Sequence, residues 1–374
     1  MRILQVSSAR AFGGGERHLA DLSRSLAVRG HEVYAALAAD SPLRAPLMEA
    51  LPSGNVFDVP LRNALDLRGA LRLARLARDV GADIIHAHVA RDYTLASFAA
   101  RRAPRSRLVI TRHVLFPLSR VHRRALSNVS RVIAVSEAVA RSLRTQAIFD
   151  PDKIRVVANG VDLRRFEEAR ASSEREEAGR GTTHAPLRVG IVGELSEVKG
   201  QEDFVRAAAL LDEEFGGSVE FLVVGEDESR SGAYGALLRK LVARLGLTES
   251  VRLLGRRDDI APLIASLDVL VSASRTEAFG MVLVEAAACG VPAVATATEG
   301  ARGIVDDGVT GSIVPIGDVR ALASSVAALL GDESLRHALG TRARESALAR
   351  FGLERMAAET ERVYDEALGV ESLP

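Results

Sequence analysis

A strand, loop and helix pattern runs through this chain twice, with a polar stretch between the two runs. In the first run, short apolar segments at 3–7, 32–37, 83–86, 108–111, 131–135 and 154–157 alternate with helical periodicity. Leu19, Leu22 and Leu26 share one helical stripe that stops at Gly30, and Leu73, Leu76, Ala77 and Val80 share another. In the second run, the segments 187–192, 219–224, 251–254, 269–272 and 292–295 read as strands, with helices at 201–211, 233–245, 320–330, 335–349 and 355–368. Strands that alternate with helices give parallel sheets covered on both faces. The chain of 374 residues is long enough for two such domains. The expected fold class is therefore α/β, with two doubly wound domains and a cleft between them. The expected boundaries are 1–166 for the first domain, 167–186 for a linker and 187–354 for the second. The terminal helix, 355–374, is expected to pack back on the first domain. In doubly wound sheets ligands bind at the carboxyl ends of the strands.

Composition excludes several classes. Hydrophobic residues at 47% and charged residues at 26% rule out wholesale disorder. No apolar run reaches the ~18 residues needed to span a bilayer. Cys289 is the only cysteine, which excludes an internal disulfide and a cysteine-based zinc site and fits a reducing cytoplasm. With no Trp and only 4% aromatics, a base-stacking platform for nucleic acid is not expected. The net charge of zero hides a split: residues 1–180 hold 30 Lys and Arg against 19 Asp and Glu, and the remainder holds 19 against 30. A basic half and an acidic half suggest domains that meet different partners.

Gly13-Gly14-Gly15-Glu16 follows a strand and opens a helix, where free N–H groups suit an anion. His18 stands where the dinucleotide fingerprint needs its third glycine, so the pattern departs from an NAD site. Val192-Gly193-Glu194-Leu195-Ser196-Glu197-Val198-Lys199-Gly200 repeats the strand, loop and helix, and Lys199 is one of only three lysines. The segment Ser274-Arg275-Thr276-Glu277-Ala278-Phe279-Gly280-Met281-Val282-Leu283-Val284-Glu285-Ala286 follows another strand. It places Glu277 in a loop and Glu285 in an otherwise apolar helix. A carboxylate there is costly to bury unless something pairs with it, and ligand hydroxyls fit. Asp150-Pro151-Asp152 has metal-like spacing but opens a turn, so it reads as turn chemistry.

Two glutamates eight apart around Phe279-Gly280-Met281 resemble the retaining glycosyltransferases of family 4, which have the GT-B fold. Further likeness lies in Asp83-Ile84-Ile85-His86-Ala87-His88, Asn159-Gly160-Val161-Asp162, Cys289-Gly290-Val291-Pro292 and Asp307-Gly308-Val309-Thr310-Gly311. The resemblance implies a hexosyltransferase that uses a nucleotide-sugar such as a UDP- or GDP-sugar, with no metal or other cofactor. It implies that His113, Glu277 and Lys199 are catalytic. It assigns donor binding to Gly14, Gly15, Gly193, Glu194, Arg256, Arg257, Phe279, Gly280, Met281, Val282, Leu283 and Glu285. Glu16, His86 and His88 fall on the acceptor side. Glu194 departs from the family's usual arginine, so either another residue such as Arg275 or Arg302 substitutes or donor handling differs.

Relatives glycosylate lipid-linked acceptors, so the resemblance also implies a glycan or lipid-linked acceptor in cell-envelope synthesis. Arg68, Arg72, Arg75, Arg120, Arg123 and Arg124 then become a contact for the anionic inner face of a membrane, where each basic residue contributes ~1 kcal/mol. The alternatives are a nucleotide-sugar epimerase or hydrolase on the same fold, and a non-catalytic nucleotide-sugar binder.

Overall fold

The computed structural model describes residues 1–119, 121–179, 186–229 and 231–370. The chain divides into two compact units, Met1–Gly160 with Leu353–Pro374, and Val161–Gly352.

The first unit holds a sheet of seven parallel strands: β1 (Arg2–Ser7), β2 (Glu32–Leu37), β3 (Val56–Asp58), β4 (Ile84–Ala87), β5 (Arg107–Arg112), β6 (Val129–Ala134) and β7 (Ile154–Val156). Their order is β3-β2-β1-β4-β5-β6-β7. The order reverses between β1 and β4, so the loops that leave these two strands diverge and open a crevice at their carboxyl ends. The Gly14–Val28 helix buries Leu19, Leu22 and Leu26 against the sheet. It ends at Arg29, and Gly30 follows with a φ of +87°, a usual glycine stop. The Leu353–Leu368 helix returns to this unit from the far end of the chain. Met356, Ala357, Thr360, Val363, Tyr364 and Ala367 form its buried stripe. Its outer face is tied down by charge: Glu361 pairs with Arg29 at 2.5 Å, and Glu366 with Arg131 at 2.9 Å and Arg155 at 2.8 Å. This helix brings acidic residues to a basic unit. By sequence the unit holds 27 Lys and Arg against 19 Asp and Glu, a net +8 rather than the +11 of residues 1–180.

The second unit holds six parallel strands: β8 (Leu187–Val192), β9 (Val219–Val224), β10 (Val251–Gly255), β11 (Val269–Ser272), β12 (Ala293–Thr296) and β13 (Gly311–Val314). The order is β10-β9-β8-β11-β12-β13, and it reverses between β8 and β11. The core between sheet and helices is built from Val189, Ile191, Phe204, Phe221, Leu238, Val271, Val294 and Leu322.

The expected linker at 167–186 is corrected over most of its length, because Leu163–Gly179 is a helix. The stretch has few large apolar residues, yet Glu, Arg and Ala are strong helix formers. Phe166 anchors it in the second unit with 2% of its surface exposed. Arg165 pairs with Asp259 at 2.6 Å and Glu167 with Arg344 at 2.5 Å. Residues 180–185 of that expectation lie outside the described residues. Asp150 behaves as turn chemistry: its carboxylate accepts from Asp152 N at 3.1 Å. No helix among the described residues is long and apolar enough to cross a membrane.

Candidate active site

In the second unit the switch point brings together motifs far apart in sequence. Lys199 lies in the loop after β8 and Glu277 in the loop after β11, and these strands are neighbours. Lys199 Nζ donates to Glu277 Oε2 at 2.6 Å. Backbone contacts set this up. Arg275 N donates to Val198 O at 2.7 Å, which stitches one loop to the other. Gly200 has a φ of +71°, and a Cβ there would lie 2.1 Å from Ala273 O. Only glycine lets the lysine loop press so closely on the end of β11. The stem of Lys199 runs past Gly193, 3.8–3.9 Å from where a Cβ would stand.

Glu285 lies one helix deeper. The Met281–Ala288 helix starts after Gly280 and is otherwise apolar, and Glu285 is buried at 3% exposure. Burial, with a further contribution from Glu285, pushes the Cys289 thiol up to about 12. That cysteine is therefore an inert thiol rather than a nucleophile. Phe279 is buried and packs edge-on against Phe351 at 5.7 Å. Met281 and Val282 are half-buried and Leu283 is buried in the first turn, where N–H groups precede the helix's own bonds. Arg256 and Arg257 are exposed in the loop after β10, at the same end of the sheet.

Glu194 stands exposed beside this pair. Partial burial pushes its carboxyl up, Glu228 and Asp227 add to the shift, and Lys199 opposes it. The proposed substitutes do not fill the gap equally. Arg275 is held away by Asp203 at 2.9 Å, whereas Arg302 is exposed in the Glu299–Arg302 helix. Two residues missed by the sequence reading complete the loop. Gly300 N donates to Glu277 O at 3.1 Å, and a Cβ on Gly300 would lie 2.6 Å from that oxygen. Phe351 is the other. Gly300 had a signal of its own, since Thr298-Glu299-Gly300 has the form of a helix cap after a strand.

In the first unit the switch point gathers four histidines. His18 lies in the Gly14–Val28 helix, His86 and His88 at the end of β4, and His113 just after β5. The ring centroids of His18 and His113 are 4.8 Å apart, and those of His86 and His88 are 4.1 Å apart. Burial holds the pKa of His18 down to about 4, and keeps His86, His88 and His113 well below the usual range. All four are neutral at pH 7.

Their roles differ. The acceptor-side expectation for His86 is corrected to a structural one. It is fully buried, and both nitrogens are taken, Nδ1 by Tyr364 Oη and Nε2 by Thr111 Oγ1, each at 2.7 Å. Glu16 is half-buried in the first turn of its helix, where its Oε2 accepts from Gly13 N at 3.0 Å. His88 is buried one layer behind His113, which is half-buried. Gly15 flanks His113, with its would-be Cβ 3.5 Å from the ring, and Gly14 is exposed beside it. His18 was visible in the sequence only as a mismatch to the glycine fingerprint.

One group among the described residues, His18, His88 and His113, brings three metal-capable atoms within 4.8 Å. The positive end of a helix and the buried Arg112 lie close by, and both disfavour a dication. Neutral imidazoles there suit hydroxyl groups.

Two family models match the chain: "Glycosyltransferase Family 4" over residues 12–165 and "Glycosyl transferases group 1" over residues 173–346. N-acetyl-alpha-D-glucosaminyl L-malate synthase of Bacillus anthracis is 29% identical, over 93% of this chain and 92% of its own length. D-inositol 3-phosphate glycosyltransferase of Xylanimonas cellulosilytica is 30% identical, over 95% and 92%. Among solved structures, Anabaena HepE in complex with UDP and glucose superposes with a TM-score of 0.83 at 26% identity, covering 97% of this chain and 98% of that one. With two Rossmann-like units and these matches along nearly its whole length, the chain belongs to glycosyltransferase family 4 and is a hexosyltransferase-type enzyme of the GT-B fold.

Proposed function

We propose that this enzyme transfers a sugar from a nucleotide-sugar to an acceptor hydroxyl with retention of configuration. The observation that carries the reading is the Lys199–Glu277 pair at the switch point of the second sheet, with Glu285 buried behind it. In this reading Lys199 neutralises the leaving diphosphate, Glu277 holds hydroxyls of the sugar, and Glu285 holds the ribose. First-turn amides from Phe279 to Leu283 meet sugar and phosphate, and in the first unit Gly14 and Gly15 open a helix whose free N–H groups suit an anion. Arg256 and Arg257 frame the base. The similar Anabaena structure with UDP and glucose supports a nucleotide-sugar donor.

The leaving diphosphate itself helps to take the acceptor proton, so the protein supplies charge stabilisation and positioning. Lys199 and the helix amides take the part that a bound metal plays in other transferases. For the acceptor we favour a glycan or a lipid-linked molecule at a membrane surface. Arg68, Arg72 and Arg75 are exposed on the Leu67–Asp79 helix beside exposed Leu67 and Leu71, and Arg123 and Arg124 are exposed too. Arg120 lies outside the described residues. A second reading, a small anionic acceptor, is favoured by the relatives named for L-malate and inositol 3-phosphate.

The test incubates the enzyme with a panel of UDP- and GDP-sugars, each with and without candidate acceptors, and follows the anomeric signals by NMR. A product with the donor's anomeric configuration is expected, formed only when acceptor is present. An inverted product contradicts retention. Donor turnover without acceptor indicates an epimerase or hydrolase, and binding without turnover indicates a binder.

A further inference from the structure

We infer that Gln5 and His88 are positioning residues that fix the ring tautomer of His113, so that His113 Nδ1 offers its lone pair to a hydroxyl of the bound substrate. The inference rests on the reading of His113 as a residue of sugar transfer.

The argument follows the protons. Gln5 is fully buried in β1, and its Oε1 lies 2.8 Å from His88 Nε2. An amide oxygen only accepts, so His88 carries a proton on Nε2. His88 is buried and neutral, so it carries no second proton and its Nδ1 is a lone pair. That Nδ1 faces His113 Nε2 at 3.4 Å. Two lone pairs would repel at this distance, and the contact is attractive when His113 holds its proton on Nε2. The lone pair of His113 then falls on Nδ1. This atom is buried and makes no hydrogen bond. A buried acceptor left in that state is costly, and a substrate hydroxyl relieves the cost.

The ring has little freedom to turn away. His18 packs edge-on against it at 4.8 Å, and Gly15 lies along Cγ and Cδ2. Behind the relay, Thr111 and Tyr364 hold His86, whose ring lies tilted against that of His88 with centroids 4.1 Å apart. Gln5 therefore acts on the substrate only through two imidazoles.

The experiment labels the full chain with 15N-histidine and reads the tautomer of each of its eight histidines from long-range proton–nitrogen correlations. His113→Asn assigns the signal. In the wild type His88 and His113 are both expected to carry the proton on Nε2, with Nδ1 free. Gln5→Met removes the acceptor and keeps the bulk. It is expected to turn both rings into tautomer mixtures and to lower kcat about five- to tenfold, the worth of one hydrogen bond, while the Kd for UDP or GDP stays unchanged. Gln5→Glu still accepts from Nε2–H and is expected to restore the wild-type tautomer.

A wild-type His113 protonated on Nδ1 overturns the inference. So does Gln5→Met with tautomer and kcat unchanged. The wild-type spectrum, once assigned with His113→Asn, needs no activity, so it decides the matter even if Gln5→Met fails to fold or the sugar-transfer reading fails.

Discussion

Lys199 and Glu277 are 78 positions apart, and their side chains meet at 2.6 Å. The pair is partly exposed, so its own contribution to stability is small. Its importance is to ligand binding. Lys199 stands beside a loop that Glu194, Glu228 and Asp227 make acidic, and Arg275 is engaged by Asp203. Lys199→Ala is expected to weaken donor binding ten- to a hundredfold, since a hydrogen bond to a charged group contributes ~1.5–3 kcal/mol. Calorimetric titration with UDP and GDP checks this, and wild-type affinity would place the diphosphate elsewhere. Glu277→Gln is expected to cripple transfer but leave nucleoside diphosphate affinity intact or improved, because it frees Lys199 from its carboxylate. Equal loss of diphosphate affinity would count against a sugar-facing Glu277.

At the scale of elements, the site depends on loops pressed together rather than on any one helix. Gly300 makes such a contact with Glu277 itself, 2.6 Å from Glu277 O to a would-be Cβ. Gly300→Ala is expected to cost ~1–3 kcal/mol of stability, as overpacking does, and to weaken donor binding by displacing Glu277. Thermal unfolding and diphosphate titration measure the two effects, and a variant unchanged in both would show that the loop yields freely. Most strands are legible in the sequence, because apolar runs of four to six residues between turn signals have few other readings. β3 and β13 are not legible. Both are edge strands, only partly buried, and three or four residues long. The Leu163–Gly179 helix is hidden for the opposite reason: it is polar and is held by Phe166 and ion pairs. The glutamate motif shows in the sequence, but its pairing with Lys199 requires β8 beside β11, which only the strand order supplies. Likewise nothing local separates His86 from His113. The difference comes from Tyr364, 278 positions away, which takes up a nitrogen of His86.

At the scale of the whole molecule, buried histidines tie stability to pH. His18 titrates near 4 when folded and near 6.5 when unfolded, and His86, His88 and His113 are shifted in the same direction. Below pH 6.5 the unfolded chain binds more protons, so stability falls as pH falls, by up to about 1.4 kcal/mol per pH unit for each ring. Asp92 acts with the opposite sign. Burial raises its folded pKa to about 6, so between pH 6 and about 4 it partly offsets the loss. Unfolding temperature is expected to drop steeply from pH 6.5 to 5, and a flat profile there would contradict neutral buried rings. The folded units carry unequal charge, 27 basic against 19 acidic residues in the first and 22 against 30 in the second. Anionic vesicles are expected to bind the protein at low salt, less so past ~0.15 M, and less so when Arg68, Arg72 and Arg75 are all changed to Gln. Protein that ignores such vesicles at low salt would remove the membrane reading. The central claim is that the second unit holds the donor nucleotide where β8 and β11 diverge, and hydrogen exchange with and without UDP or GDP tests it most directly. The account predicts that a nucleoside diphosphate slows exchange at residues 193–200 and 274–288. Saturating nucleotide with no protection in either stretch would contradict it.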